Sequence, residues 1–246
     1  MANVKITQVT ETTAPETNAL LIMATAPDAA TPLSRSVSVL NLIGTGWVKS
    51  KDTWTYASPT TITVPSGATG IYSVGDNIKL TQTTVKYFYV VGVADTVLTV
   101  TGGSDYAVAN AAITSPYYSK TVTPTGFPRT GLSLGTPTWT TSGTAFTNQP
   151  INNNFRFHIN SGLCTITGKA QCHATSGGTG MFTATFTTGY LPAMGVSSSG
   201  PALNFNTLVG GASNINASNV MRFTKYDGTA IATNSEYFGG VLTFRF

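Results

Sequence analysis

Short runs of alternating apolar and polar residues, each halted by Gly, Pro or Asp, recur through most of this chain. Thr60-Thr61-Ile62-Thr63-Val64 stops at Pro65, and Ser66-Gly67 supplies a turn. Gly75-Asp76 precedes Ile78-Lys79-Leu80, and Val85–Val91 and Val97–Val100 flank a turn-like stretch from Gly92 to Thr96. Further on, Phe155, Phe157 and Ile159 alternate with Arg156, His158 and Asn160, and Leu242, Phe244 and Phe246 with Val241, Thr243 and Arg245. Neighbouring side chains of a strand face opposite ways, so each run has one apolar face. Composition points the same way. Charged residues are only 9% of the chain, against roughly 25% in an average soluble domain, too few for a salt-bridged long helix or coiled coil. Thr, β-branched and suited to strands, fills about one position in six. The predicted class is all-β.

At 41% hydrophobic the chain has enough apolar material for real cores. Its longest apolar run, Ala19–Ala24, is far shorter than the roughly 20 residues of a membrane helix, so no membrane insertion is expected. The N-terminus lacks the basic and apolar stretches of a signal peptide, which predicts a soluble protein released in the cytoplasm. The net charge of +4 comes from 13 basic and 9 acidic residues, the basic ones scattered singly. Nucleic-acid binding needs them clustered on one face, and is not expected.

Three segments are distinguished. Residues 1–45 carry the apolar runs Val4–Val9 and Ala19–Ala24, and Ser38 is placed to cap a helical turn over Val39–Ile43. This piece is too small and polar for its own core and reads as an attachment element. Residues 46–128 read as a small β barrel or sandwich, with one short helical candidate, Ala107–Ile113. Residues 129–150 read as a linker with extended pieces, pinned by Trp139 and Phe146, and residues 151–246 as a second β domain.

Reactive groups are sparse. The nine acids show no convergent spacing, and Asp76, Asp95 and Asp227 sit in predicted turns, where Asp is ordinary. His158, Cys164, Cys172 and His173 are the one soft-ligand cluster, but their spacing matches no zinc pattern. Cys164 and Cys172 face each other if a hairpin turns at Gly168; on one continuous strand more than about 20 Å separates them. Nucleophile and phosphate-loop signatures are missing. No catalytic residue, metal or cofactor is therefore expected. Aromatics are the better functional material, because sugar rings stack on exposed aromatic faces while Asn, Asp and Thr bond hydroxyls. Sites of that kind sit on loops at the end of a β scaffold. The candidates are Tyr226, Asp227, Asn234 and Tyr237, with the Ser197–Asn206 stretch as a further loop. Most other aromatics read as core or interface, Phe88 and Phe244 above all.

The stretch TWTYASPTTITVPSGATGIYSVGDNIKLTQTTVKYFYVV, followed by LTVTGGSDYAVANAAITSPYYSK and GFP, closely resembles a module of bacteriophage and prophage virion proteins of the tail-fibre, baseplate and head-fibre kind. CTITGKAQCHATSGGTGMFTATFTTGYLPA is similar to the terminal β domain of many phage fibres. Phe186, Gly189, Tyr190 and Pro192 match that domain's corner motif, while Thr187 and Leu191 depart from its usual Pro and Arg. APETNALLIMATAPDAATPLSRSVSVLNLI resembles the entry segment of fibre-type proteins. The resemblance implies a virion component assembled in the host cytoplasm: an N-terminal attachment segment, then two small β-sandwich or barrel-like domains, in an intertwined homotrimer. Residues 1–45 would join other virion proteins, and the C-terminal domain would bind a bacterial surface saccharide non-covalently. The alternative implied is a purely structural head-fibre, capsid-decoration, collar or baseplate protein; an enzyme acting on cell-wall glycans is the remotest reading. The resemblance also makes Gly168 a bulge inside one strand, and reducing cytoplasm disfavours a Cys164–Cys172 disulfide.

Overall fold

The computed structural model describes residues 20–25, 33–38, 45–141, 150–171, 182–187, 189–191, 198–204, 210–216, 220–225 and 237–245. Phe146, Cys172, His173, Pro192 and Phe246 lie outside them, as do Val4–Val9 and Val39–Ile43. Apart from one 3-10 turn at Ala68–Gly70, every regular element among them is a strand, and the protein is all-β. No helix among the described residues is long and apolar enough to cross a membrane.

β1 (Leu20–Thr25) and β2 (Leu33–Ser38) form an antiparallel pair. Ser38, expected to cap a helical turn, ends β2 opposite Leu20.

A seven-stranded antiparallel sheet follows. It contains β3 (Val48–Lys49), β4 (Thr55–Ser58), β5 (Thr61–Thr63), β6 (Asn77–Gln82), β7 (Thr84–Ala94), β8 (Val97–Thr101) and β9 (Thr114–Ser119), ordered β3-β9-β6-β7-β8-β5-β4. β7 is its spine: Thr84–Tyr89 pair with β6, and Tyr89–Ala94 with β8, the latter ladder shifting register between Val90 and Gly92. One face packs Ile62, Ile78, Leu80, Phe88, Val90, Leu98 and Val100 over Trp54 and Tyr72. The helical candidate Ala107–Ile113 is not a helix. Gln82, buried in the sheet, donates to the carbonyls of Ala109 (2.8 Å) and Ala111 (3.0 Å) and accepts from the Ala109 N–H (2.9 Å). A side-chain amide takes the backbone groups that a helical turn would have paired internally.

The second sheet has nine antiparallel strands: β10 (Leu132–Ser133), β11 (Thr138–Thr141), β12 (Ile151–Asn160), β13 (Leu163–Gln171), β14 (Phe182–Thr185), β15 (Ser198–Asn204), β16 (Gly210–Ile215), β17 (Val220–Lys225) and β18 (Tyr237–Arg245). Their order is β10-β12-β13-β18-β15-β16-β17-β14-β11. The sheet curls back on itself. Trp139 of the terminal strand β11 lies 6.0 Å from Phe155 of β12, near the opposite edge, and its indole N–H donates to Asn153 Oδ1 at 2.9 Å. Phe155, Phe157, Ile159, Cys164, Ile166, Leu242 and Phe244 point into the enclosed core, while Arg156, His158 and Asn160 face outward. Two expectations are corrected here. Ser198–Asn204 is not a loop but β15, inside the sheet; its ladder to β18 stops at Ala202, next to Pro201, which has no N–H to give. Gly168 is not a bulge: it pairs in register with Phe155 and Gly240, and the irregularity lies between Ile151 and Asn154 of β12. A Cβ on Gly168 would come within 2.2 Å of Phe155 Cδ1, so the ring covers this glycine across the ladder.

β13 runs without a turn from Leu163 to Gln171, which removes the hairpin that would have brought Cys172 back to Cys164. The Cys164 thiol is free and fully buried, and burial pushes its ionisation far up. Since the thiolate is the reactive form, a maleimide reagent should leave Cys164 unmodified in the folded protein and react once denaturant opens the core. Mass spectrometry of the labelled peptide reads this directly, and rapid native labelling would contradict the packing.

The two sheets share a wall. Phe88 and Val90 face the first core, but Tyr89 between them belongs to the second, 4.9 Å from Phe127 and 5.7 Å from Phe157. Trp47 joins it from the same side. Burial raises the Tyr89 phenol strongly, although a hydrogen bond to the Ile159 backbone works against the shift. The loop after β8 is tied down too. Ser104 N–H donates to the Ser133 carbonyl (2.8 Å), Ser133 N–H to Asp105 Oδ2 (2.8 Å), and Thr101 Oγ1 to the Tyr190 carbonyl (2.7 Å).

Candidate functional site

Two regions at opposite ends of β12 and β13 qualify. At one end, β12 and β13 turn through Ser161 (φ 47°) and Gly162 (φ 78°). Positive φ at both central residues is the type I′ geometry whose twist suits a two-residue hairpin. The tip of this hairpin reaches the first sheet. Gly75, itself at φ 96°, has no room for a side chain there, because a Cβ would stand 2.7 Å from the Ser161 nitrogen.

A cleft of about 370 Å3 lies at that contact, lined by Ser73–Asp76, Lys120–Val122 and Asn160-Ser161. Asp76 organises it. Its Oδ2 accepts from the Ser73 N–H (2.9 Å) and from Lys120 Nζ (3.1 Å), while its own N–H donates to the Ser73 carbonyl. Lys120 Nζ also reaches Ser73 Oγ at 3.3 Å. The Asp76 carbonyl accepts from Val90 N–H, and Gly75 N–H donates to the Val90 carbonyl, so the turn is fixed to the spine of the sheet. The turn role expected for Asp76 is thus observed, together with a place in a cleft wall that its sequence neighbours do not signal.

At the other end the strand termini are bunched. Ile151 pairs with Gln171, Gln171 with Tyr237, Leu203 with Gly210, Gly211 with Lys225, and Thr141 with Phe182. Residues 142–149, 172–181, 205–209 and 226–236 are therefore all bracketed by strand ends at one end of the sheet, roughly 25 Å of β13 from the cleft. Of the saccharide candidates, Tyr226, Asp227 and Asn234 lie outside the described residues. Tyr237 opens β18, paired with Gln171, and only its backbone is described.

The remaining candidates have structural positions. Trp47, Trp54, Tyr89 and Trp139 are buried, and no described aromatic side chain is exposed. Asp95 accepts from Gly67 N–H and Ser66 Oγ, two bonds that hold its carboxyl below the usual range. Cys164 faces the core, whereas His158, on the outer face of β12, is half-buried beside Thr130, and desolvation lowers its pKa. Among the described residues no three His, Cys, Asp or Glu side chains gather as a metal site. Lys79 is sandwiched between the rings of Tyr117 (4.3 Å) and Trp47 (4.7 Å), and burial lowers its pKa. Such contacts stabilise a half-buried ammonium without making it a site. Comparison with protein-family models, curated proteins and solved structures returns no match to this chain.

Proposed function

We propose that this chain is a fibre-type phage virion protein that recognises a bacterial surface saccharide without catalysis. It assembles in the host cytoplasm as an intertwined homotrimer, with residues 1–45 attaching to other virion proteins. The observation that supports this best is the bunching of strand ends, Ile151, Gln171, Tyr237, Leu203, Gly210, Lys225 and Thr141, at the end of the nine-stranded sheet remote from the first sheet. Four connections of the sheet, residues 142–149, 172–181, 205–209 and 226–236, start and finish at that end, and loops at the end of a β scaffold are suited to meeting a surface. The segment 226–236, between β17 and β18, carries Tyr226, Asp227 and Asn234, and Tyr237 adjoins it. Three such sites on one trimer would convert weak contacts into firm attachment, because later contacts form at high effective concentration.

Deleting residues 150–246 is a poor test, since it strips Phe157 and Ile159 from Tyr89, Trp47 and Phe127. Point variants avoid this. The combined variant Tyr226→Ala, Asp227→Ala, Asn234→Ala and Tyr237→Ala should keep its melting temperature within a few degrees and lose tenfold or more of its apparent affinity for host cells. Undiminished binding would move the site elsewhere. Sedimentation should return about three times the 25.6 kDa chain mass, and a stable monomer at micromolar concentration would contradict the trimer.

A further inference from the structure

We propose that the β1–β2 hairpin is a trimerisation element: three copies of it, one from each chain, assemble around the threefold axis with the face of Leu20, Ile22 and Ala24 inward. The inference rests on the homotrimer proposed above and says where in the chain that trimer is held. Its basis is the isolation of the hairpin. β1 and β2 pair with one another and with no other strand among the described residues, so they form a two-stranded sheet apart from the two larger ones. A two-stranded hairpin is marginal in water at best; three or more strands with an apolar face are needed. One chain supplies two strands, and three chains supply six. The edge of β1 invites the addition. Sheet edges are kept from recruiting another chain by shortness, bulges, charge and proline. β3 and β10 have two residues each, β4 carries a register shift between Tyr56 and Ser58 and runs into Pro59, and β11 follows Pro137. β2 follows Pro32 and carries Arg35. Among the described edge strands only β1, six residues of Leu-Leu-Ile-Met-Ala-Thr, lacks every one of these devices.

The register selects the face and the occupant. Cross-strand partners share a face, so Leu20, Ile22 and Ala24 lie with Ser38, Ser36 and Ser34, and Leu21, Met23 and Thr25 with Val37, Arg35 and Leu33. Symmetry sets a residue near the axis beside its own equivalents, so the inward face must be compatible with itself. The first face is: it holds three aliphatic side chains and three serines, whose hydroxyls both donate and accept, and it brings no like charges together. The second face has one more apolar side chain, but it would gather three Arg35 guanidinium groups with no acid on the hairpin to pair them. Burying an unpaired charge costs more than one further aliphatic side chain returns.

The test is made on the full-length protein by sedimentation at micromolar concentration. Ile22→Glu should raise the concentration needed to hold the trimer tenfold or more. Met23→Glu, opposite Arg35 on the other face, should leave it unchanged. The near-ultraviolet signal of Trp47, Trp54 and Trp139 shows whether both cores stay folded, and where it is lost, cross-linking decides the matter. In a Cys172→Ser background, oxidation of Ser36→Cys should link chains in pairs at least tenfold faster than oxidation of Arg35→Cys, its neighbour on the opposite face. A folded trimer that Ile22→Glu leaves intact, or equal linking of Ser36→Cys and Arg35→Cys, would overturn this inference and spare the homotrimer. A monomeric wild-type protein would overturn both.

Discussion

Replacing Phe157 by alanine is expected to cost about 3–5 kcal/mol, the usual penalty for emptying a fully buried aromatic position. Phe157 is 0% exposed, faces the core of the nine-stranded sheet, and lies 5.7 Å from Tyr89 of the seven-stranded one. The loss should therefore not be confined to one half of the molecule. Trp54 reports on the first core, and Trp47 and Trp139 on the second. Unfolding in guanidinium, followed by fluorescence at fixed protein concentration, should show one cooperative transition that moves as a whole in the variant. Two separable transitions, with only one displaced, would mean that the shared wall does not couple the sheets.

The next largest effect is expected at Gly103. It sits at φ 60°, where a Cβ would stand 2.1 Å from the Ser133 carbonyl oxygen and 2.9 Å from Phe157 Cε1. An alanine there bears the left-handed penalty of about 1–2 kcal/mol and forces apart two backbones already joined by the Ser104 and Asp105 hydrogen bonds to Ser133. Overpacking adds about 1–3 kcal/mol. Gly67 is the natural control: its φ is 92°, and nothing lies within 4 Å of the added carbon. Gly67→Ala should lose the conformational term alone. The difference between the two variants, read from denaturant midpoints, isolates the sheet contact. Equal losses would show that this contact yields without cost.

Where one face of a strand is apolar and the other wet, the sequence was enough. Phe155, Phe157 and Ile159 are buried and their neighbours are not, and β18 keeps Leu242 and Phe244 inside with Val241 exposed. Alternation fails where both faces are covered. Phe88, Tyr89 and Val90 are all buried, and nothing local tells that Tyr89 serves a core built mostly from residues beyond 127. Ala107–Ile113 has helical propensity, but Gln82, more than twenty positions earlier, claims its backbone. Ser198–Asn204 lacks any alternation and is a strand because β16 on one side and β18 on the other supply its partners. The cleft draws on residues 73–76, 120–122 and 160–161, each unremarkable in its own turn; only the packing of Gly75 against Ser161 brings them together. At the remote end the candidate residues were legible as types, and the topology adds that the strand ends flanking them converge.

Recognition of a bacterial surface is the central claim, and binding of the intact oligomer to bacterial cells and to glycans isolated from them is its most direct measurement. Saturable binding in the micromolar range, competed by the isolated glycan, is the expected result. A correctly assembled oligomer that binds no strain of a broad panel would contradict the claim and leave a structural head or tail component as the function.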